Sequence, residues 1–121
     1  MLLITKPLAN SREGIAVQTE FFEIKETKID NVVRFYVKGR ISSSTSVKFT
    51  KQLNAALSEG KKNMILDMSE VQFLSSLGIR TILSTYKQCD ALGGSFHIAN
   101  PPPSVANVLG MAALNTLLLD E

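Results

Sequence analysis

Two adjacent serines are the residues best placed to carry chemistry. They lie in Leu74-Ser75-Ser76-Leu77-Gly78-Ile79-Arg80, where a helical pattern begins. A helix N-terminus offers free N–H groups and the positive end of the helix dipole. Such a site suits a phosphate, so phosphorylation of Ser76 is one reading. Arg80 falls four residues on, one helical turn along, and would help to hold that charge. The alternatives are a serine that only caps the helix and a solvated arginine. A second hydroxyl cluster, Ser42-Ser43-Ser44-Thr45-Ser46, is either part of a binding surface or a polar loop feeding a helix N-cap.

Other chemistries fall away. Ser76-Leu77-Gly78 lacks the first glycine of a nucleophile elbow, and the single histidine, His97, has no evident acidic partner. No hydrolase is therefore expected. One His and one Cys cannot cage zinc, and no Asp/Glu cluster has calcium-loop spacing. No metal or cofactor is expected. His97 reads as a structural residue on a strand, and Cys89 as a small core residue on a helix.

The chain has 121 residues, 45% apolar and 20% charged, with a formal net charge of +2. This is a one-domain length, and the composition excludes a disordered chain, a collagen and a disulfide scaffold. A lone cysteine points to a reducing compartment, so a cytoplasmic setting is expected. No apolar run approaches the ~20 residues of a membrane helix. Met1 to Pro7 has no basic stretch ahead of its apolar patch and does not read as a signal peptide. The small net charge and the lack of a Lys/Arg cluster interleaved with aromatics argue against nucleic acid. Charge is uneven: residues 1–62 hold 11 of the 13 Lys/Arg, while 29 residues between Asp90 and Asp120 carry no Asp, Glu, Lys or Arg. Such a stretch must be buried or must touch something.

These side chains need elements to hold them. Residues 1–20 read as an N-terminal extension, partly ordered, in which Leu2-Leu3-Ile4 or Ile15-Ala16-Val17 could add an edge strand. Residues 21–121 read as one domain. Phe21 to Lys28 and Val32 to Lys38 read as a hairpin turning at Asp30-Asn31, the second strand ending at Gly39. Phe49, Leu53, Ala56 and Leu57 recur at helical spacing up to Gly60. Met64-Ile65-Leu66 reads as a buried strand, followed by a loop around Ser69-Glu70. Ile79, Ile82, Leu83 and Tyr86 mark a helix capped by Ser75 or Ser76 and ended by Gly93-Gly94. Ser95 to Ala99 is a strand stopped by Pro101-Pro102-Pro103. Val105, Val108, Leu109 and Ala112 give a last helix led by proline, whose other face carries Ala106, Asn107, Gly110 and Met111. Asn115 to Leu119 closes as a short strand or helix. The order β-β-α-β-α-β-α-β calls for an α/β domain: a mixed sheet with an N-terminal hairpin and helices packed on it.

The same residues resemble the STAS family, the fold of bacterial anti-sigma factor antagonists. Asp67, Ser69, Val71, Phe73, Ser76, Gly78 and Ile79 match its central pattern. Gly39-Arg40-Ile41 is similar to its Gly-x-Leu after the second strand. Asn100 to Pro103, followed by Val105, Val108-Leu109 and Leu114, is similar to its ending. The likeness spans about residues 21–119. It departs at Ser42 and Ser75, where the family carries acidic residues, at Leu77 in place of Ser/Thr, and at Arg80 in place of a frequent Gly. The site is therefore expected to have lost negative charge.

The resemblance implies a non-enzymatic switch. The domain would bind an anti-sigma factor with serine-kinase activity and so release a sigma factor. Phosphorylation of Ser76 would end the binding, and a PP2C-type phosphatase would reset it. Contacts would come from Ser42, Ser43, Ser44, Ser75, Ser76, Leu77, Gly78 and Arg80, and the outer face at Ala106 and Met111 is a further candidate surface. A weak homodimer is compatible with such a domain; membrane insertion is not expected. The alternative is a STAS subunit that is not phosphorylated, within a larger assembly such as a stressosome-like scaffold or an ABC-transporter-associated regulator.

Overall fold

The structure is a computed structural model that describes residues 20–119. All of the expected N-terminal extension except Glu20 lies outside the described residues. Strands β1 (Phe22–Ile29) and β2 (Val32–Ile41) form the hairpin, paired antiparallel from Ile29↔Val32 to Phe22↔Gly39. Asp30 takes a left-handed backbone at the turn (φ 56°), a region that Asp tolerates better than most residues. Along β2 the side chains alternate, so that Val33, Phe35, Val37 and Ile41 are buried on one face, as a strand's two-residue period requires.

Helix α1 (Ser46–Ser58) crosses to β3 (Asn63–Leu74), and α2 (Ser76–Ala91) crosses to β4 (Ser95–Ala99). β3 lies between β2 and β4 and runs parallel to both, in the order β1-β2-β3-β4. Helix α3 (Pro103–Met111) follows, with proline in its first turn. Phe49 and Leu53 of α1 and Ile82 and Cys89 of α2 enter one core with Phe35, Leu66, Met68 and Ile98 from the strands. Val105 and Leu109 of α3 join the same core with Leu114 and Leu117. The expectation that the uncharged stretch after Asp90 is mostly core is corrected: only seven of its 29 residues are buried and fourteen are exposed, because its turns and the outer face of α3 are uncharged as well. Met111, on that outer face, is 76% exposed.

Three further expectations are corrected. The second strand does not stop at Gly39 but runs on to Ile41. The loop expected at Ser69-Glu70 is strand: β3 continues to Leu74, and register shifts against β2 fall between Tyr36/Lys38 and Gly39/Arg40. Each shift sets an extra β3 residue against β2, which breaks the polar/apolar alternation and makes the segment read as a loop. The closing element is not a strand. Leu114 and Leu117 are both buried, and a separation of three matches the 3₁₀ period. Asn115–Leu117 therefore form a 3₁₀ turn, and only a bridge of Leu118 to Ile98 is left to pair.

Asp67 ties the sheet together from within. Buried on β3, it takes a hydrogen bond from Arg34 Nη2 of β2 (2.8 Å) and one from the Ser69 backbone N–H (3.0 Å). Asn100, just past β4, donates its side-chain amide to the same carboxylate at 3.4 Å. Burial opposes the Asp67 charge. The Arg34 and Ser69 bonds outweigh it and hold its pKa below the usual carboxylate value. A folded-state pKa depressed in this way adds stability above the unfolded-state pKa of about 3.9, which is lost as pH falls through the lower folded value. Urea unfolding from pH 6 downward should show stability falling across that window. Asp67→Asn should be less stable at pH 6, and the gap to wild type should narrow in acid.

Candidate functional site

β2 and β3 end side by side, at Ile41 and Leu74. Helix α1 starts five residues after the first end and α2 two after the second, so both helix N-termini gather at one rim of the sheet. The start of α2 is clamped there. The Ser75 backbone N–H donates to Ile41 O at 2.8 Å. Ser75 is the N-cap of α2, with extended backbone, and its hydroxyl oxygen accepts from the Gly78 N–H at 3.2 Å. Gly78 is pressed against the strand ends: a Cβ there would stand 2.7 Å from Leu74 Cδ1 and 2.8 Å from Ile41 Cγ2. Any larger residue would force these methyl groups, or the helix, to shift.

The two serines are thereby separated in role. Ser75 is half-buried and used by the cap, whereas Ser76, the first residue of α2, is exposed. The first turn of α2 carries no acidic residue, which leaves its positive dipole end free of local negative charge. Phe73 and Leu77 flank Ser76 in sequence and are 39% and 38% exposed. Arg80 is exposed one turn along and lines a groove between α1 and α2 with Thr50, Asn54 and Ser84. Of the remaining expected contact residues, Ser43 and Ser44 are exposed, but Ser42 and Gly78 are buried. Gly78 serves the rim by packing and not by contact.

The serine run folds into a turn that satisfies itself. The Ser42 N–H donates to Thr45 Oγ1 (2.8 Å), Thr45 Oγ1 donates to Arg40 O (2.6 Å), and the Ser46 N–H donates to Ser42 O (2.8 Å). Thr45, at the N-cap of α1, makes no side-chain cap bond. Its hydroxyl is spent inside the turn.

The expectation of lost negative charge holds at the start of α2 but is corrected at Ser42 by Glu20. Glu20 Oε1 accepts hydrogen bonds from Ser42 Oγ (2.5 Å) and Ser44 Oγ (2.9 Å), and Oε2 accepts from Arg40 Nε (3.2 Å). The two serine hydroxyls and Arg40 hold the Glu20 pKa below the usual glutamate value. Arg40 in turn lies over the Phe73 ring, 4.4 Å from its centroid. Glu20 escaped the sequence reading because it stands 22 residues before Ser42. Its reach depends on Gly39, whose φ of +93° suits glycine. A Cβ at Gly39 would also lie 2.1 Å from Phe21 O, the atom that accepts the Arg40 N–H at 2.9 Å.

Among the described residues, no three His, Cys, Asp or Glu side chains gather as a metal-holding group, and no helix is long and apolar enough to cross a membrane. Burial pushes the Cys89 thiol pKa up, away from reactivity.

A hairpin-led mixed sheet, with a serine-headed helix clamped at the ends of two parallel strands, defines the class. The chain belongs to the STAS domain family, which it matches over residues 23–119. It is 26% identical over 81 residues to BtrV of Bordetella bronchiseptica, a protein provisionally named an anti-sigma factor antagonist. That match covers 67% of this chain and 70% of BtrV. The fold is shared with the anti-sigma factor antagonist SpoIIAA in its unphosphorylated form (TM-score 0.74, 17% identity, 82% of this chain and 88% of that one). It is also shared with the Bacillus cell fate determinant SpoIIAA in its phosphorylated form (TM-score 0.68, 18% identity, 84% and 91%).

The clamp makes unequal demands on its members. Ser75→Ala should lower stability by about 1 kcal/mol through the lost cap, while Ser76→Ala should stay within about 0.5 kcal/mol of wild type. Gly78→Ala should cost about 1–3 kcal/mol by overpacking. Urea denaturation of the three variants checks the ranking.

Proposed function

We propose that this protein is an anti-sigma factor antagonist, switched by phosphorylation of Ser76. The observation that carries the reading is the split between the two serines. Ser75 is committed to the cap, and Ser76 stands exposed at a helix N-terminus with no acid in its first turn. The likeness to BtrV and to SpoIIAA supports it.

In the unmodified state the rim offers a partner the exposed Phe73 and Leu77, the hydroxyls of Ser43, Ser44 and Ser76, and Arg80 on the next turn. Binding an anti-sigma factor here would release the sigma factor it holds. A phosphate on Ser76 adds roughly −1.5 to −2 charges. The helix N-terminus accommodates it within the free domain. On a face that must be desolvated against a partner, the same charge weakens association. The anti-sigma factor itself would act as the serine kinase, and a phosphatase would restore the binding form.

Incubation with the cognate anti-sigma kinase and ATP, followed by intact-mass measurement, tests this. A single phosphate should appear on wild type and on Ser75→Ala, and none on Ser76→Ala. Ser76→Asp should bind the kinase at least tenfold more weakly than wild type, a loss of about 1.4 kcal/mol or more. Absence of phosphate on wild type, together with wild-type binding by Ser76→Asp, would overturn the switch.

A further inference from the structure

We infer that Glu20 is a positioning residue for the docking rim: it fixes the Ser42–Thr45 turn and aims Arg40 across Phe73. The inference deepens the function proposed above and rests on the reading of this rim as a docking face. Glu20 lies ahead of the 23–119 family match.

The geometry points to a hub. One carboxylate engages three side chains from two places on the rim, and each of its oxygens is used. Oε1 sets the two serines: Ser42 Oγ and Ser44 Oγ lie 3.0 Å apart around it. Ser42 Oγ also accepts from the Thr45 N–H at 3.3 Å, so fixing that hydroxyl fixes the turn that leads into α1. Oε2 sets Arg40, and with it the cation that covers Phe73. Held over the ring, Arg40 turns a half-exposed phenylalanine into a surface that is apolar with a charged edge, a combination that favours aromatic or acidic groups on a partner. The pair Arg40–Glu20 is partly exposed on both sides, and exposed ion pairs add little to overall stability. Its effect should therefore be local: shape and orientation, with the global fold left intact.

Amide and side-chain NMR on the whole chain separates these roles without a partner. In Glu20→Ala, hydrogen exchange at the Ser42, Thr45 and Ser46 amides should rise at least tenfold, and the Arg40 Nε–H should lose its protection. Exchange at the amides of β3 and β4 should stay within twofold of wild type. Glu20→Gln keeps an oxygen for the serines and discards the charge. It should therefore retain the turn's protection and lose that of Arg40 Nε–H. The split between the two variants is a signature that a merely structural residue would not give. Wild-type protection at both places in Glu20→Ala would overturn the inference. Failure of the docking reading shows separately, as absence of binding between the wild-type chain and its cognate anti-sigma kinase. If wild type binds, Glu20→Ala should bind at least tenfold more weakly with an unchanged melting temperature, and unchanged binding would also overturn the inference.

Discussion

Ile41 and Leu74 fill the space in which residue 78 would carry a side chain. That packing constraint governs most of what the rim can do. It favours glycine at position 78, and glycine lets the first turn of α2 sit down on the ends of β2 and β3. Once seated, the helix is joined to β2 through the Ser75 N–H and Ile41 O. Glycine is a poor helix former, so the clamp repays by burial and hydrogen bonding what the sequence gives up in propensity. The result is a helix N-terminus held on rigid strands, where a loop would have held it loosely.

A division of labour follows. Ser75 is drawn inward by the cap and Ser76 is left facing water, although the two are chemically alike and adjacent. Nothing in the side chains distinguishes them. What does is position: Ser75 is the N-cap, with its hydroxyl on the Gly78 N–H, and Ser76 is the first helical residue. The interior repeats the theme on the other side of the motif. Asp67, matched to the family pattern by sequence, is spent on Arg34, Ser69 and Asn100, which fastens β2, β3 and the chain after β4 to one another. The pattern residues Asp67 and Gly78 thus keep the strands and the helix in place, and Ser76 is left exposed at the rim.

Strand-forming runs made β1, β2 and β4 legible in the sequence, and the three- and four-residue spacing of apolar residues made the three helices legible, with the helix start at Ser75-Ser76. Three things were hidden, each for a physical reason. The bulged half of β3 loses its two-residue period just where the strand must reach the rim, so Ser69-Glu70 looks like a loop. The last turn is chosen by two buried leucines, Leu114 and Leu117, whose spacing is too short a signal to separate a 3₁₀ turn from a strand. Glu20 is joined to Ser42 and Ser44 across a hairpin, and no local pattern links a lone acid to hydroxyls more than twenty positions away. Substitution at Ser42 and Ser75 was readable; the carboxylate that returns to Ser42 from elsewhere was not.

The passage of Phe21 over Gly39 has a consequence for where this domain can be cut. Every buried apolar side chain of the described core lies between Val33 and Leu117. A chain begun at residue 23, where the family match begins, keeps all of them and gives up only the half-buried Phe22, which packs edge-on against Phe49. It would nonetheless lack the Phe21 carbonyl that receives the Arg40 N–H and the carboxylate on which Ser42, Ser44 and Arg40 converge. The boundary of the buried core and the boundary of the rim's hydrogen-bond network therefore do not coincide. A graft, a fusion joint or a sequence alignment that respects only the first would deliver a sound sheet with an unfinished face.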